Sequence, residues 1–199
     1  MNTCKLILFC FLINACKEKH IINSRVEPAI HLPSIYLPSS SEKLAFSNDV
    51  LLLNGKKYAG YLYAQNPISK DTILLQGYYN GLLEGTCKKW FLNNQLMECR
   101  LYHKGKKNGK QIAYWDNGNK RFEFVAVDDA YEGELKEWAY NGHLLHLANY
   151  INGQESGVQK LWYDNGKIRA NYVIIKGKRY GLLGTKNCKN VSDSIFNIK

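Results

Sequence analysis

The sequence predicts an all-β fold: an elongated antiparallel sheet of repeated β-hairpins with a 24-residue period. Three observations carry this. Gly85, Gly109, Gly133, Gly157 and Gly181 recur every 24 residues, and Gly81, Gly105, Asp129, Gly153 and Gly177 precede them by four. Asn94, Gly118, Gly142 and Gly166 keep the same interval, as does an aromatic series of Trp90, Tyr114, Trp138 and Trp162. Between these turn signals lie short aromatic and aliphatic runs, of strand rather than helix length. A constant interval held by several positions marks a repeat architecture.

Residues 150–172 show one unit, Y-I-N-G-Q-E-S-G-V-Q-K-L-W-Y-D-N-G-K-I-R-A-N-Y. Two turn signals divide it, Asn152-Gly153 with Gly157 behind, and Asp164-Asn165-Gly166. A three-residue hairpin loop ends in a residue of positive φ, which glycine adopts without a steric penalty. Where glycine is missing from these columns, Asn94 and Asp129 stand in, and Asn and Asp are the side chains that best tolerate that conformation. Strands lie about 4.8 Å apart, so two strands per unit space the aromatic column by about 9.6 Å. The rings are expected to form the packing spine of a thin sheet, with a ligand-stacking groove as the alternative.

The motifs Tyr79-Asn80-Gly81 with Gly85, Tyr114-Trp115-Asp116-Asn117-Gly118 and Trp162-Tyr163-Asp164-Asn165-Gly166-Lys167-Ile168 resemble the MORN repeat variant of bacterial proteins, often labelled YwqK-type antitoxins. The resemblance extends over residues 50–184 and implies a scaffold or binding surface. Two departures stand out: Asp128-Asp129 replaces Asn-Gly in the third unit, and Ala139 replaces an aromatic.

Along the chain, residues 1–15 carry one positive charge, Lys5, ahead of an apolar run at 6–13. That run is too short to span a bilayer and fits the core of a signal peptide. Its end, Leu12-Ile13-Asn14-Ala15-Cys16, resembles a bacterial lipoprotein box, which implies cleavage after Ala15 and acylation of Cys16. Several acyl chains, at about 0.8 kcal/mol per buried CH₂, then hold the protein on a membrane.

Residues 16–47 have no period, contain Pro28, Pro33, Pro38 and Ser39-Ser40-Ser41, and hold none of the 16 glycines. They are expected to be a flexible linker, although Ile35, Tyr36 and Leu37 offer an apolar piece able to dock. The repeat domain is expected over 48–184. Its first unit diverges, with Asn66, Pro67, Ile68, Ser69, Lys70 and Asp71 in place of the tight loop, as terminal repeats do. The last strand is expected at 172–175, and the period is lost in the tail, 185–199.

Cys4 and Cys10 leave with the signal peptide. A loop of Leu92, Asn93 and Asn94 sets Phe91 against Gln95 and Cys87 against Cys99. The two thiols are then neighbours, and a disulfide depends on their geometry, with Cys188 left over. His143 and His146, three apart on a strand, point to opposite faces, so no metal site is expected. Glu84, Glu132 and Glu155 read as solvated turn residues. No nucleophile stands beside a base, and neither catalysis nor a cofactor is expected.

The net charge is +10, or +9 once Lys5 is removed, and much of it sits in Lys104-Gly105-Lys106-Lys107 and Lys176-Gly177-Lys178-Arg179. So basic a chain would suit nucleic acid, but export argues against that partner. The sequence therefore points to a non-catalytic, lipid-anchored binding or scaffold module of the bacterial cell envelope. Its expected partners are an envelope protein, an anionic lipid or a glycan. The alternative is an antitoxin or immunity-type protein that neutralises a partner toxin.

Overall fold

The computed structural model describes residues 30–184. The expected signal peptide, Cys16 and the tail at 185–199 therefore lie outside the described residues. The described residues contain strands and no helix, in agreement with the predicted fold class.

Seventeen strands follow one another among the described residues. The first seven are β1 (Tyr36–Pro38), β2 (Leu44–Ser47), β3 (Val50–Leu53), β4 (Lys56–Lys57), β5 (Gly60–Gln65), β6 (Thr72–Tyr79) and β7 (Leu82–Leu83). The repeats proper begin with β8 (Gly85–Trp90), β9 (Leu96–His103), β10 (Lys106–Tyr114), β11 (Lys120–Val127) and β12 (Ala130–Trp138). They end with β13 (Leu144–Ile151), β14 (Gln154–Glu155), β15 (Gly157–Trp162), β16 (Ile168–Ile175) and β17 (Lys178–Leu182). One 14-stranded sheet runs in the order β1-β5-β6-β8-β9-β10-β11-β12-β13-β15-β16-β17, with β7 and β14 as short branches, and β2, β3 and β4 form a separate small sheet. Every pairing in the long sheet is antiparallel except β1 with β5.

The Gly, Asn and Asp positions of the turn columns behave as their residue types dictate, and Lys104 and Lys176 take the same left-handed conformation. Asn94, Gly118, Gly142 and Gly166 take φ of 66, 87, 85 and 78° at the ends of the hairpin loops, and Asp129 takes 71°. Between repeats, Asn80-Gly81, Lys104-Gly105, Asp128-Asp129, Asn152-Gly153 and Lys176-Gly177 all have two consecutive positive φ values. That is the mirror-image two-residue turn whose twist matches the flanking strands.

Each hairpin also carries a bulge. Trp90 pairs with Leu96 but Lys89 with Glu98, and the same one-residue shift follows Tyr114, Trp138 and Trp162. The extra residues are Met97, Arg121, Leu145 and Arg169, again 24 apart. A second irregularity marks the junction between repeats. Lys107 pairs with Tyr102 and Gln111 with Arg100, so Asn108, Gly109 and Lys110 together face Leu101. Gly109, at φ 96°, sits in the middle of it.

The bulge corrects the expected pairing of the cysteines. Cys87 lies opposite Arg100, and Cys99 opposite Lys88. Successive residues of a strand point to opposite faces, so the two cysteines are on different sides of the sheet, and both are free thiols. The one-residue register change comes from a bulge that the loop motif does not announce.

The described part of the predicted linker, 30–47, is corrected as well. Residues 36–38 add β1 to the edge of β5, and 44–47 belong to the small sheet. The Ile35 carbonyl accepts from the Tyr61 amide at 2.7 Å and from the Tyr58 hydroxyl at 3.1 Å. The small sheet folds over the first repeat and makes the main hydrophobic core: Leu51, Tyr58, Leu62 and Tyr78, with Leu37, Leu44, Leu53 and Leu83 around them. Gly81 permits this, since a Cβ there would collide with Val50 Cγ1 and the Leu51 carbonyl. At the other end the sheet continues past the strand expected at 172–175 with β17, whose five residues are all exposed.

Candidate functional site

Trp90, Tyr114, Trp138 and Trp162 close β8, β10, β12 and β15 at one register position, opposite Leu96, Lys120, Leu144 and Ile168. Each is half-buried. Strand alternation places them on one face, three residues on from the fully inward column of Cys87, Gln111, Leu135 and Gln159 and therefore opposite to it. The column holds its side without ring-to-ring stacking, because two strands separate successive rings.

On this ladder face lies a depression of about 360 Å³ whose lining includes Lys110, Lys120, Glu123, Glu134, Lys136 and Trp138. Lys120 Nζ sits 5.5 Å from the centre of the Trp138 ring. Glu123 is gripped by Lys110 at 2.6 Å and Lys120 at 2.5 Å, and Lys136 by Glu134 at 2.5 Å. The hydrogen bonds from Lys110 and Lys120 hold the Glu123 carboxyl below its usual range, and the bond that Lys110 donates to Glu123 raises the lysine in turn. The patch is thus a mosaic of both charges.

The opposite face carries an aromatic chain that the 24-residue columns did not single out. Phe122, Phe124, Tyr131 and Tyr150 follow one another at ring distances of 5.7, 4.8 and 4.9 Å. Arg100 lies 4.6 Å over Phe122. The signal was there in weaker form, as Tyr78, Tyr102 and Tyr150 with Ala126 interrupting.

Beneath this face Gln111 and Gln159 are wholly buried. Gln111 Nε2 donates to the carbonyls of Leu101 and Gly109 at 2.8 and 3.2 Å, and Gln159 Nε2 to those of Asn149 and Ser156 at 2.8 and 3.3 Å. The junction irregularity frees carbonyls from the ladder, and these amides satisfy them.

Glu84 is not a solvated turn residue. It is 6 % exposed, its carboxylate meets His103 Nδ1 at 3.0 Å, and it accepts the Lys104 amide at 2.9 Å. Glu132 accepts the Asn152 amide at 2.8 Å in the same way, and Glu155 pairs with Arg179 at 2.9 Å. These carboxylates tie each repeat to the next turn. The lysine-rich turns are partly neutralised likewise, as Lys107 lies 3.8 Å from Asp129. Burial pushes the Cys87 thiol up to about 11, which leaves it a poor nucleophile at neutral pH.

The hairpin loops are stitched together along one long edge. Asn93, Asn117, Asn141 and Asn165 each accept, through Oδ1, the backbone amide two residues on. Asn93 Nδ2 donates to the Asp116 carbonyl at 3.2 Å and Asn117 Nδ2 to that of Tyr140 at 2.8 Å. Trp115 Nε1 donates to the Trp138 carbonyl at 3.1 Å, with Arg121 over its ring at 4.8 Å and Tyr140 at 5.9 Å. Farther along, a second depression of about 350 Å³ opens among Glu137, Leu145, His146, Trp162, Tyr163 and Asp164. There His146 Nδ1 and Glu137 Oε2 are 3.0 Å apart, and that bond leads the interactions that hold the Glu137 carboxyl low.

Among the described residues no helix is long and apolar enough to cross a membrane. Comparison with protein families finds the MORN repeat variant over residues 155–172. No curated protein matches the chain. The chain thus carries a MORN repeat variant within its fourth hairpin unit, and a repeat-based binding module is the functional class that this supports.

Proposed function

We propose that the chain is an exported, lipid-anchored module that acts by binding, not by catalysis, and that its partner is a protein of the bacterial envelope. One observation carries the binding reading: the repeats form a single layer of sheet whose large side chains stay accessible on both faces, including Val125, Val127, Tyr131, Ile151 and Val158 at 39–56 % exposure. Accessible aromatic and aliphatic side chains interspersed with charges are the composition of a protein contact surface. The depression on the ladder face favours a protein over an anionic lipid or a glycan chain, because Lys110, Lys120 and Lys136 there are already paired with Glu123 and Glu134.

The anchor rests on the sequence around Cys16. Radiolabelled palmitate is expected to enter the wild-type chain and not Cys16→Ala, and equal labelling of the two rules out the tether. Crosslinking in intact cells followed by pull-down tests the binding role. A defined envelope protein is expected with the wild type and is reduced in yield with Cys16→Ala. Recovery of the chain alone under both conditions contradicts it.

A further inference from the structure

The second depression is where the repeat lacks a ring. The column Phe91, Trp115, Ala139 and Tyr163 is aromatic except at Ala139. Trp115 shows what the ring does: it packs between Arg121, the Trp138 carbonyl and Tyr140. These lie 6, 23 and 25 residues further along the chain. The same offsets from Ala139 reach Leu145, Trp162 and Asp164, and all three line the depression. A methyl group cannot fill an indole's place or supply its N–H to the Trp162 carbonyl. The volume of about 350 Å³ is within the range of ligand sites.

The substitutions around the gap leave it with more carboxylates than cations. Where Trp115 has the cation Arg121 against its ring, the gap offers Leu145. Where it has Tyr140, the gap offers the carboxylate of Asp164, which forms no ion pair among the described residues. Glu137 adds a second carboxylate, hydrogen-bonded to His146, and Arg169 is the one fixed cation of the lining. The cation that packs on the Trp115 ring has no counterpart at Leu145, and two carboxylates, Asp164 and Glu137, outnumber the one fixed cation, Arg169. An incoming ring therefore meets an apolar surface at Leu145 and acceptors at the Trp162 carbonyl and Asp164.

We propose that this gap is a binding site for a tryptophan side chain flanked by lysine or arginine on a partner protein, which takes the place that Trp115 occupies in the preceding repeat. The proposal rests on the binding-module reading and names the contact that serves it. It leaves the ladder face free for the remainder of the interface.

The test uses the full chain and two indole probes, tryptamine as the cation and indole-3-acetate as the anion, titrated by NMR. Tryptamine is expected to shift the amide resonances of Leu145, Trp162 and Asp164, and indole-3-acetate to bind at least fivefold more weakly. Ala139→Trp, which supplies the missing ring from within, is expected to weaken tryptamine at least tenfold. Ala139→Phe closes the same gap with a smaller ring and is expected to give the same loss should the first variant fail to fold. Equal affinity of wild type and closed variants, or shifts confined to other residues, overturns the assignment. Undiminished crosslinking of the envelope protein to Ala139→Trp overturns it too, and leaves the binding role standing.

Discussion

At the scale of single residues, one column of asparagines does more than its composition suggests. Asn117 closes its own loop through Oδ1 and reaches the next loop through Nδ2. Asn117→Ala removes both bonds at an exposed site, and a loss of about 1–2 kcal/mol is expected in a denaturant titration. The cysteines make a sharper distinction. Cys87 is buried with its thiol pushed up to about 11, and Cys99 does not share its face. Non-reducing mass spectrometry is expected to find Cys87 and Cys99 free, and alkylation at about pH 8, below the raised thiol value, to reach Cys87 only after unfolding. A recovered Cys87–Cys99 bridge contradicts the observed register.

At the scale of the hairpin, the glycine columns were legible because positive φ narrows the choice of residue to a few types. The bulges were not. Met97, Arg121, Leu145 and Arg169 share a position but no side-chain property, since a bulge residue is defined by backbone pairing. That one silent feature moved Cys87 from Cys99 to Arg100. The buried Gln111 and Gln159 were hidden for a related reason: their column holds a cysteine and a leucine elsewhere, and the need for an amide arises from freed carbonyls. The junction glycines separate two costs. Gly133, at φ 71°, has open space within 4 Å of where a methyl would sit, whereas at Gly109, at φ 96°, a methyl would lie 2.5 Å from Leu101 Cδ2. Gly133→Ala is expected to cost about 1–2 kcal/mol from backbone strain alone. Gly109→Ala is expected to cost more, as measured by the midpoint of urea unfolding.

At the scale of the whole molecule, the period told the fold and the edges escaped it. The repeats after residue 84 follow from local turns, but β1 and the small sheet follow from apolar side chains that found the uncovered first repeat. Leu51 is their centre, wholly buried, and Leu51→Ala is expected to cost about 2–5 kcal/mol. The candidate site was half legible: the ladder followed from the aromatic column, whereas the gap beside Ala139 needed the contacts of Trp115 to give it meaning. Acid should weaken the sheet as a unit. Burial alone would raise the Glu98 carboxyl, but Lys89 and Arg100 outweigh it, and Glu123 and Glu137 are also held low by their partners. Carboxyls depressed in the folded state stabilise it above the ordinary value of 4.5 and lose that contribution as pH falls through their lower folded values. The urea midpoint is therefore expected to hold steady above about pH 5 and decline below about 4.5, and a midpoint that rises on acidification opposes this assignment.

That the sheet is a contact surface is the central claim, and site-directed photocrosslinking in intact cells tests it most directly. Benzoylphenylalanine is placed in turn at Val125 and Val158 on the ladder face, at Tyr163 beside the gap, and at Phe46 on the small sheet. One discrete adduct of the same partner is expected from Tyr163 and the ladder face, and none from Phe46. Absence of an adduct at every position, or adducts of unrelated proteins from all four, would contradict it.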